Sequence, residues 1–349
     1  ACRREELMRP LLVQLAMLII MASAGGVTAL AGDLFVGSSS SHQVLQFESE
    51  GGDPVGAFCT VANPVGLAFR PQETRSVLSG DLFVGSASSH AVLRFDGETG
   101  EVIGTFCSVS NPGDLIFGPD GDLFVLSLSA HQVLRYDGQT GEIIGPFCTI
   151  ANPSGLVFRP LKDLAADVGD LFACSASSHQ VQRFDGQTGE QLGVFCNVAD
   201  PRGLIFGPGG DLFVASGAAH QVLRFEGTTG EPLGAFCSVA HPGDLAFGSD
   251  GHLYVTSQSH HQVQVFDGQT GAPLGSFCSV ANPGWLVFRD EAPPCLADMN
   301  GDGVVNVAEI LLLLDTWGEC DNCPADINDD GIVNTDDLLL VLSAWGPCP

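Results

Sequence analysis

The 349-residue chain is short of positive charge: thirteen Lys and Arg stand against forty-one Asp and Glu, a formal net charge of −28. Phosphate backbones are bound by clustered Lys and Arg, so nucleic acid is excluded as a partner, and docking on anionic membranes with it. Tyrosine is scarce at two, while phenylalanine reaches 22 and glycine 44. Glycines between short aromatic and β-branched runs point to β-structure with tight turns. Long apolar runs are missing, with one exception. Met8-Arg9-Pro10 precedes LLVQLAMLIIMASAGGV, and the small-x-small triplet Ala29-Leu30-Ala31 follows. This arrangement predicts residues 1–31 to be an upstream extension and an export signal read from Met8 and cleaved after Ala31. An uncleaved anchor is the alternative, because the run approaches spanning length. Cleavage removes Cys2, leaves no membrane segment, and delivers the protein outside the cell, to the periplasm or to the cell surface.

What is present is repetition. GDLFVGSSSSHQVLQF at 32, GDLFVGSASSHAVLRF at 80, GDLFVLSLSAHQVLRY at 121, GDLFACSASSHQVQRF at 169, GDLFVASGAAHQVLRF at 210 and GHLYVTSQSHHQVQVF at 251 are one unit used six times. The matched histidines, His42, His90, His131, His179, His220 and His261, are 48, 41, 48, 41 and 41 residues apart, the long intervals reflecting seven-residue insertions at one point of the unit. A period of about 40 residues with several strands per unit is the mark of a propeller. In the second unit DLFVGS, AVLRF, EVIGTFC and GDLIF read as four strands; DGETG supplies an Asp and two glycines for a positive-φ hairpin, and NPG hands the chain to the fourth strand. The unit resembles the NHL repeat, matched by GLVF, DLFV, the histidine and QVLRF across residues 32–291. The resemblance implies that the glycine-apolar strand is innermost, so that GWLVF at 284–288 completes the first blade and closes a six-bladed, monomeric propeller without an open edge.

Six histidines at mid-radius cannot converge on one ion, since a metal needs imidazole nitrogens within ~2 Å. A repeated structural bond from ring to backbone is expected instead. Asp81, Asp122, Asp170 and Asp211 are matched by Arg94, Arg135, Arg183 and Arg224; the sixth unit has His252 and Val265 at both places, and the first keeps Asp33 but has Gln46. Cross-strand ion pairs are expected. Cys59, Cys107, Cys148, Cys196, Cys237 and Cys278 recur on the outer strand, too far apart for disulfides, and read as buried thiols. Cys174 is unique to one blade, with a bond to a neighbouring thiol left open.

Residues 292–349 form a different object: between 295 and 349 there are eleven Asp or Glu and no Lys or Arg. ADMNGDGVVNVAEILLLLDTWG and ADINDDGIVNTDDLLLVLSAWG are copies 28 residues apart, and each fits the calcium-loop pattern. The first offers Asp298, Asn300, Asp302, the Val304 carbonyl, Asn306 and Glu309; the second offers Asp326, Asn328, Asp330, Ile332, Asn334 and Asp337. Two Ca2+ ions are expected, with Gly303 and Gly331 at the sharp bends. Only a helix after each loop is evident, and this loop–helix duplication resembles the type I dockerin, an EF-hand-type repeat pair. The resemblance implies a small α-helical calcium module and a cohesin-like or cell-surface protein partner. Val307-Ala308 and Thr335-Asp336 stand where the family carries its recognition pair, which leaves another partner, or a folded end-cap, open. Cys295 with Cys348 and Cys320 with Cys323 are suggested as disulfides by the module's pseudo-twofold symmetry; pairing within each repeat is the alternative.

Two functions follow. Near-identical blades favour an exported non-enzymatic scaffold, its propeller tethered through the calcium module. A lyase- or lactonase-type enzyme with a metal at the pore is the alternative. Its residues would come from the positions that differ near the axis: Val65, Asp114, Ser154, Arg202, Asp244 and Trp285, and, before the prolines, Asn63, Asn111, Asn152, Asp200, His241 and Asn282. Asp114, Asp244, Arg202, His241 and Trp285 are the candidate pore-mouth ligand site, the two aspartates being three blades apart and so facing each other.

Overall fold

The second strand of every unit is apolar at consecutive positions, which fits a strand covered on both faces. In the first unit, β1 (Leu34–Ser38) is buried at all five residues. It pairs with β2 (Gln43–Phe47), and β2 with the exposed outer strand β3 (Pro54–Thr60), in which Cys59 is the buried position. The computed structural model that shows this describes residues 32–49, 51–71, 80–160, 169–289, 297, 299, 304–319, 323, 325–327, 331–343 and 345–347. The segment read as an export signal and most of both insertions lie outside these residues.

The chain forms six four-stranded antiparallel sheets. Blade two runs β4 (Pro64–Phe69), β5 (Leu82–Ser86), β6 (Ala91–Phe95), β7 (Val102–Ser108), from the axis outward. Blades three to six repeat it, their inner strands being β8 (Pro112–Phe117), β12 (Pro153–Phe158), β16 (Pro201–Phe206) and β20 (Pro242–Phe247). Blade one takes its inner strand from the far end of the propeller. β24 (Pro283–Phe288) pairs with β1 in the register Leu34↔Phe288, Phe35↔Val287 and Val36↔Leu286. The ring is therefore closed by pairing its two ends, as the sequence predicts.

Phenylalanine joins blade to blade. Phe35 meets Phe58 of its own blade edge-on at 4.8 Å and Phe69 of blade two at 4.9 Å, and each blade repeats this trio. Blade six uses Tyr254 in the central place, its hydroxyl donating to Asp250 at 2.8 Å. Edge-to-face pairs contribute roughly 0.5–1.5 kcal/mol each beyond their buried area. The expected ion pairs are present between Arg94 and Asp81, Arg135 and Asp122, Arg183 and Asp170, and Arg224 and Asp211. In blade one Gln46 Nε2 donates to Asp33 Oδ2 at 2.6 Å, and Arg289 completes the pair. Arg70, Arg159 and Arg289 each reach the next blade, donating to the carbonyls of Gly138, Gly227 and Gly97.

Two expectations need correction. In the DGxTG turns only the second glycine, such as Gly100 at φ +70°, adopts positive φ. The first is required for space instead: a Cβ on Gly138 would lie inside the Gly121 carbonyl oxygen. Cys174 is a free, buried thiol and not half of a disulfide. The six outer-strand cysteines are also free and buried, and burial pushes each thiol up to about 12.

The C-terminal region contains two helices, α1 (Val307–Asp315) and α2 (Thr335–Ser343). A two-residue ladder pairs Val304–Val305 with Gly346–Pro347, and another pairs Ile332–Val333 with Gly318–Glu319. The second ladder is the first moved by one 28-residue repeat. Its core obeys the same offset: Ala297, Val305 and Leu313 are matched by Ala325, Val333 and Val341. Among the described residues no helix is long and apolar enough to cross a membrane.

Candidate functional site

The histidines settle first, because they are not the site. All six have φ between +53° and +56°, a left-handed conformation in which His, Asn and Asp are enriched. Each ring accepts a hydrogen bond at Nδ1 from the backbone N–H twenty-one residues on, as from Asn63 to His42 at 3.0 Å. The same residue's carbonyl accepts from Val61 and its equivalents. The histidine thus ties the hairpin to the crossover that starts the next blade.

The channel is where the copies part company. Beside the axis, the inner strands present Val65, Ser154 and Arg202 one residue after the proline and Asp114, Asp244 and Trp285 two residues after it, glycine taking the other place in each strand. The neighbouring position on the second strand compensates in size and polarity: Gly85, Leu126, Cys174, Ala215, Thr256 and Gly37. Thr256 Oγ1 accepts from the Asp244 N–H at 2.8 Å, and a Cβ on Gly85 would strike the Val65 carbonyl.

Asp114 and Asp244 oppose each other, half-buried, with their open faces to the channel. Asp114 accepts from the N–H of Leu115 at 3.0 Å and of Leu156, on the next blade, at 3.1 Å. Asp244 accepts from Leu286 of the next blade at 3.1 Å. Loss of water raises both carboxyls; the charge of Asp244 raises Asp114 further, and Asp244 lies at about 6. Cys174 is close by, its thiol raised well above the usual range, first by burial and then by the surrounding charges of Cys196, Asp114 and Asp244. A thiol so held is a poor nucleophile.

Nearer the mouth is a cavity of about 290 Å³ open to solvent, lined by Arg202, Asp200, Asp244, Gln258, Ser154 and Trp285 together with small and apolar residues. Arg202 donates through Nε and Nη2 to Asp200 Oδ2 at 3.3 and 3.2 Å, and through Nη1 to Gln258 Oε1 at 3.4 Å. Of the five candidates, Arg202, Asp244 and Trp285 line this cavity, and Asp114 and His241 do not. His241 stands on the rim with its ring 4.9 Å from that of His220. Gln258 escapes the sequence reading. Its signal is the residue after the second-strand serine, which changes in step with the pore: Ser39, Ala87, Leu128, Ala176, Gly217 and Gln258.

In the tail, Asp298, Asn300, Asp302, Asn328 and Asp330 lie outside the described residues, as do Cys295, Cys320 and Cys348. Val304 and Ile332 supply the short ladders. Asp326 accepts from the N–H of Gly331 at 2.7 Å, and Gly331 turns at φ +86°. Asp337, fully buried, accepts from Ile327 at 2.8 Å and Asn334 at 2.9 Å. Glu309 is also fully buried; Oε2 accepts from the Asn306 N–H at 2.6 Å, while Oε1 has no partner among the described residues. Cys323 is disulfide-bonded. Among the described residues no three His, Cys, Asp or Glu side chains converge on one point. The helices expose Leu311, Leu314 and Trp317 of the first repeat, and Leu339, Leu342 and Trp345 in the same places of the second.

No known family profile matches the chain, and no curated protein does. Solved structures do. A chain of a nidogen/laminin complex aligns at TM-score 0.61 and 14% identity, covering 74% of this chain and 98% of that one. A Bacteroides caccae protein of unknown function aligns at 0.59 and 14%, covering 75% and 100%. A functionally unknown protein from Desulfotomaculum acetoxidans aligns at 0.55 and 14%, covering 75% and 100%. At these identities the likeness establishes the propeller fold alone.

Proposed function

We propose that this is an exported, non-enzymatic binding protein. Its NHL-like propeller holds a ligand or partner at the pore mouth, and its C-terminal dockerin-like module, organised by two Ca2+ ions, attaches it to a second protein. One observation supports the binding role above others: six copies that share their histidine ties and aromatic trios carry five different side chains at the six channel-facing places, Val65, Asp114, Ser154, Arg202, Asp244 and Trp285. A merely structural propeller has no need of that asymmetry. The nidogen/laminin structure is a propeller within a protein complex, which fits a binding role.

Calcium is supported by the donor chemistry of the tail. A fully buried carboxylate oxygen without a partner is costly unless a cation meets it, and Glu309 sits at the loop position that supplies the bidentate ligand. Asp298, Asn300, Asp302, Asn306 and the Val304 carbonyl would complete the first site, and Asp326, Asn328, Asp330, Asn334, Asp337 and the Ile332 carbonyl the second. The exposed Leu and Trp residues, repeated at 28-residue spacing, form an apolar face of the kind that marks a protein contact. A cohesin-like or cell-surface protein fits it.

The opposed Asp114–Asp244 pair is what favours an enzyme instead, since two carboxyls of raised affinity for protons are the raw material of acid–base chemistry. Against it, the nearby thiol is held protonated, and the Arg202 guanidinium at the mouth is already paired with Asp200. The test is capture from the source organism's secreted proteins by the full chain and by a chain lacking residues 295–349, with calcium and with chelator. Capture that requires both tail and calcium is expected. Interactions unchanged by deletion of the tail would refute the tethering role.

A further inference from the structure

Building on the proposed pore-mouth site, we infer that its ligand is a neutral saccharide, with one pyranose ring stacked on Trp285. Trp285 is the one aromatic residue among the six pore-facing positions. One side of it packs against the core between blades one and two that contains Phe35, Leu67 and Val84, and it also lines the cavity. Behind it the second strand carries Gly37, whose place lies beside the Trp285 carbonyl and Pro64. The same cavity presents Arg202, Asp200 and Gln258 as a cluster already fixed by its own hydrogen bonds. A guanidinium has five N–H groups. Three are used here, which leaves two, and the Gln258 amide hydrogens are also unused. A rigid set of planar donors and acceptors beside an aromatic face matches the hydroxyl rim and apolar face of a sugar.

Charge argues for neutrality. An anion would confront Asp200 and Asp244, and a cation would confront Arg202. Arg202 and Asp200 cancel each other, and the remaining carboxylate, Asp244, is already engaged by the Leu286 N–H at 3.1 Å. A cavity of about 290 Å³, opening outward, suits one or two sugar rings at the end or edge of a longer glycan.

The full chain, kept in calcium, is titrated by calorimetry and saturation-transfer NMR with cellobiose, xylobiose, diacetylchitobiose, glucuronate and tetramethylammonium. At least one neutral disaccharide should bind with Kd near ~1 mM or tighter, and glucuronate and tetramethylammonium at least ~10-fold more weakly. Trp285→Ala and Arg202→Met should each weaken the disaccharide at least ~10-fold, Trp285→Phe by less than ~3-fold, and Ile144→Thr on the outer face not at all. Thermal melts of each variant show that the fold survives, and Arg202→Met carries the test should Trp285→Ala not fold. Tighter binding of tetramethylammonium or glucuronate, binding indifferent to Trp285 and Arg202, or no neutral sugar bound at all would overturn the inference. The wider binding role fails separately, when a chain carrying both Trp285→Phe and Arg202→Met captures the same secreted proteins as the unaltered one.

Discussion

The residue that repeats most faithfully is a backbone device, and its two functions can be separated by substitution. His131 supplies a left-handed conformation and an Nδ1 acceptor for the N–H of Asn152. His131→Ala loses both and should cost about 2 kcal/mol, whereas His131→Asn, at ease in that conformation, should cost about 1 kcal/mol or less. Urea denaturation of the two variants gives the difference directly. Asp244 behaves in the opposite sense. Its folded carboxyl titrates at about 6, above the ordinary carboxylate range, so the fold binds this proton more tightly than the unfolded chain does. Folding is therefore favoured at low pH, stability declines as pH climbs through the window between ordinary Asp and about 6, and above it the penalty is constant. Asp244→Asn keeps an oxygen for the Leu286 N–H, removes the charge that raises Asp114, and should stabilise the protein at pH 7 by on the order of 2 kcal/mol. The stability profile from pH 4 to 7 should flatten; an unchanged profile would show that the pair is not charged in the fold.

At the scale of elements, what was legible in the sequence is what repeats. Strand order, the blade-closing role of residues 284–288, the Asp–Arg pairs and the α1–α2 duplication all follow from period and pattern, because each is imposed six times or twice. The turn glycines were legible as a pair but not by role, since the close approach of Gly138 to the Gly121 carbonyl depends on a partner seventeen residues away. The site was harder. Asp114 and Asp244 can be placed opposite each other by counting blades, but Gln258 becomes visible only when the channel layers are compared together, and the Asp200–Arg202–Gln258 cluster depends on side-chain directions that no period encodes. The tail offers a prediction of its own. α1 starts with Asn306 accepting from the N–H of Ala308 and Glu309 from that of Asn306, so its first turn is tied to the oxygen that would face the ion. Glu309→Gln keeps the cap and removes the charge. Calcium affinity at the first loop should fall at least ~10-fold, by calorimetric titration, while α2 retains its response.

The whole molecule depends on a seam. Each blade packs only against its neighbours, so stability spreads around the ring through nearest-neighbour interfaces. The ends meet at one place: the Arg289 N–H donates to the Asp33 carbonyl at 3.0 Å, and Leu286, almost fully buried, both fills the blade-one core and donates its N–H to Asp244. Removing residues 283–289 leaves blade one with three strands, uncovers β1, and strips the backbone donor from a buried carboxylate. This deletion should abolish the single cooperative unfolding transition, and the amides of Leu34–Ser38 should lose their protection from hydrogen exchange. A circular permutant separates closure from mere strand count. Joining residue 289 to residue 33 by a short linker and opening the chain within the 161–168 insertion keeps every strand and makes the seam covalent. It should fold as cooperatively as the parent and unfold more slowly, because the seam no longer opens from free ends. Equal unfolding rates for permutant and parent would place the weakest interface elsewhere in the ring.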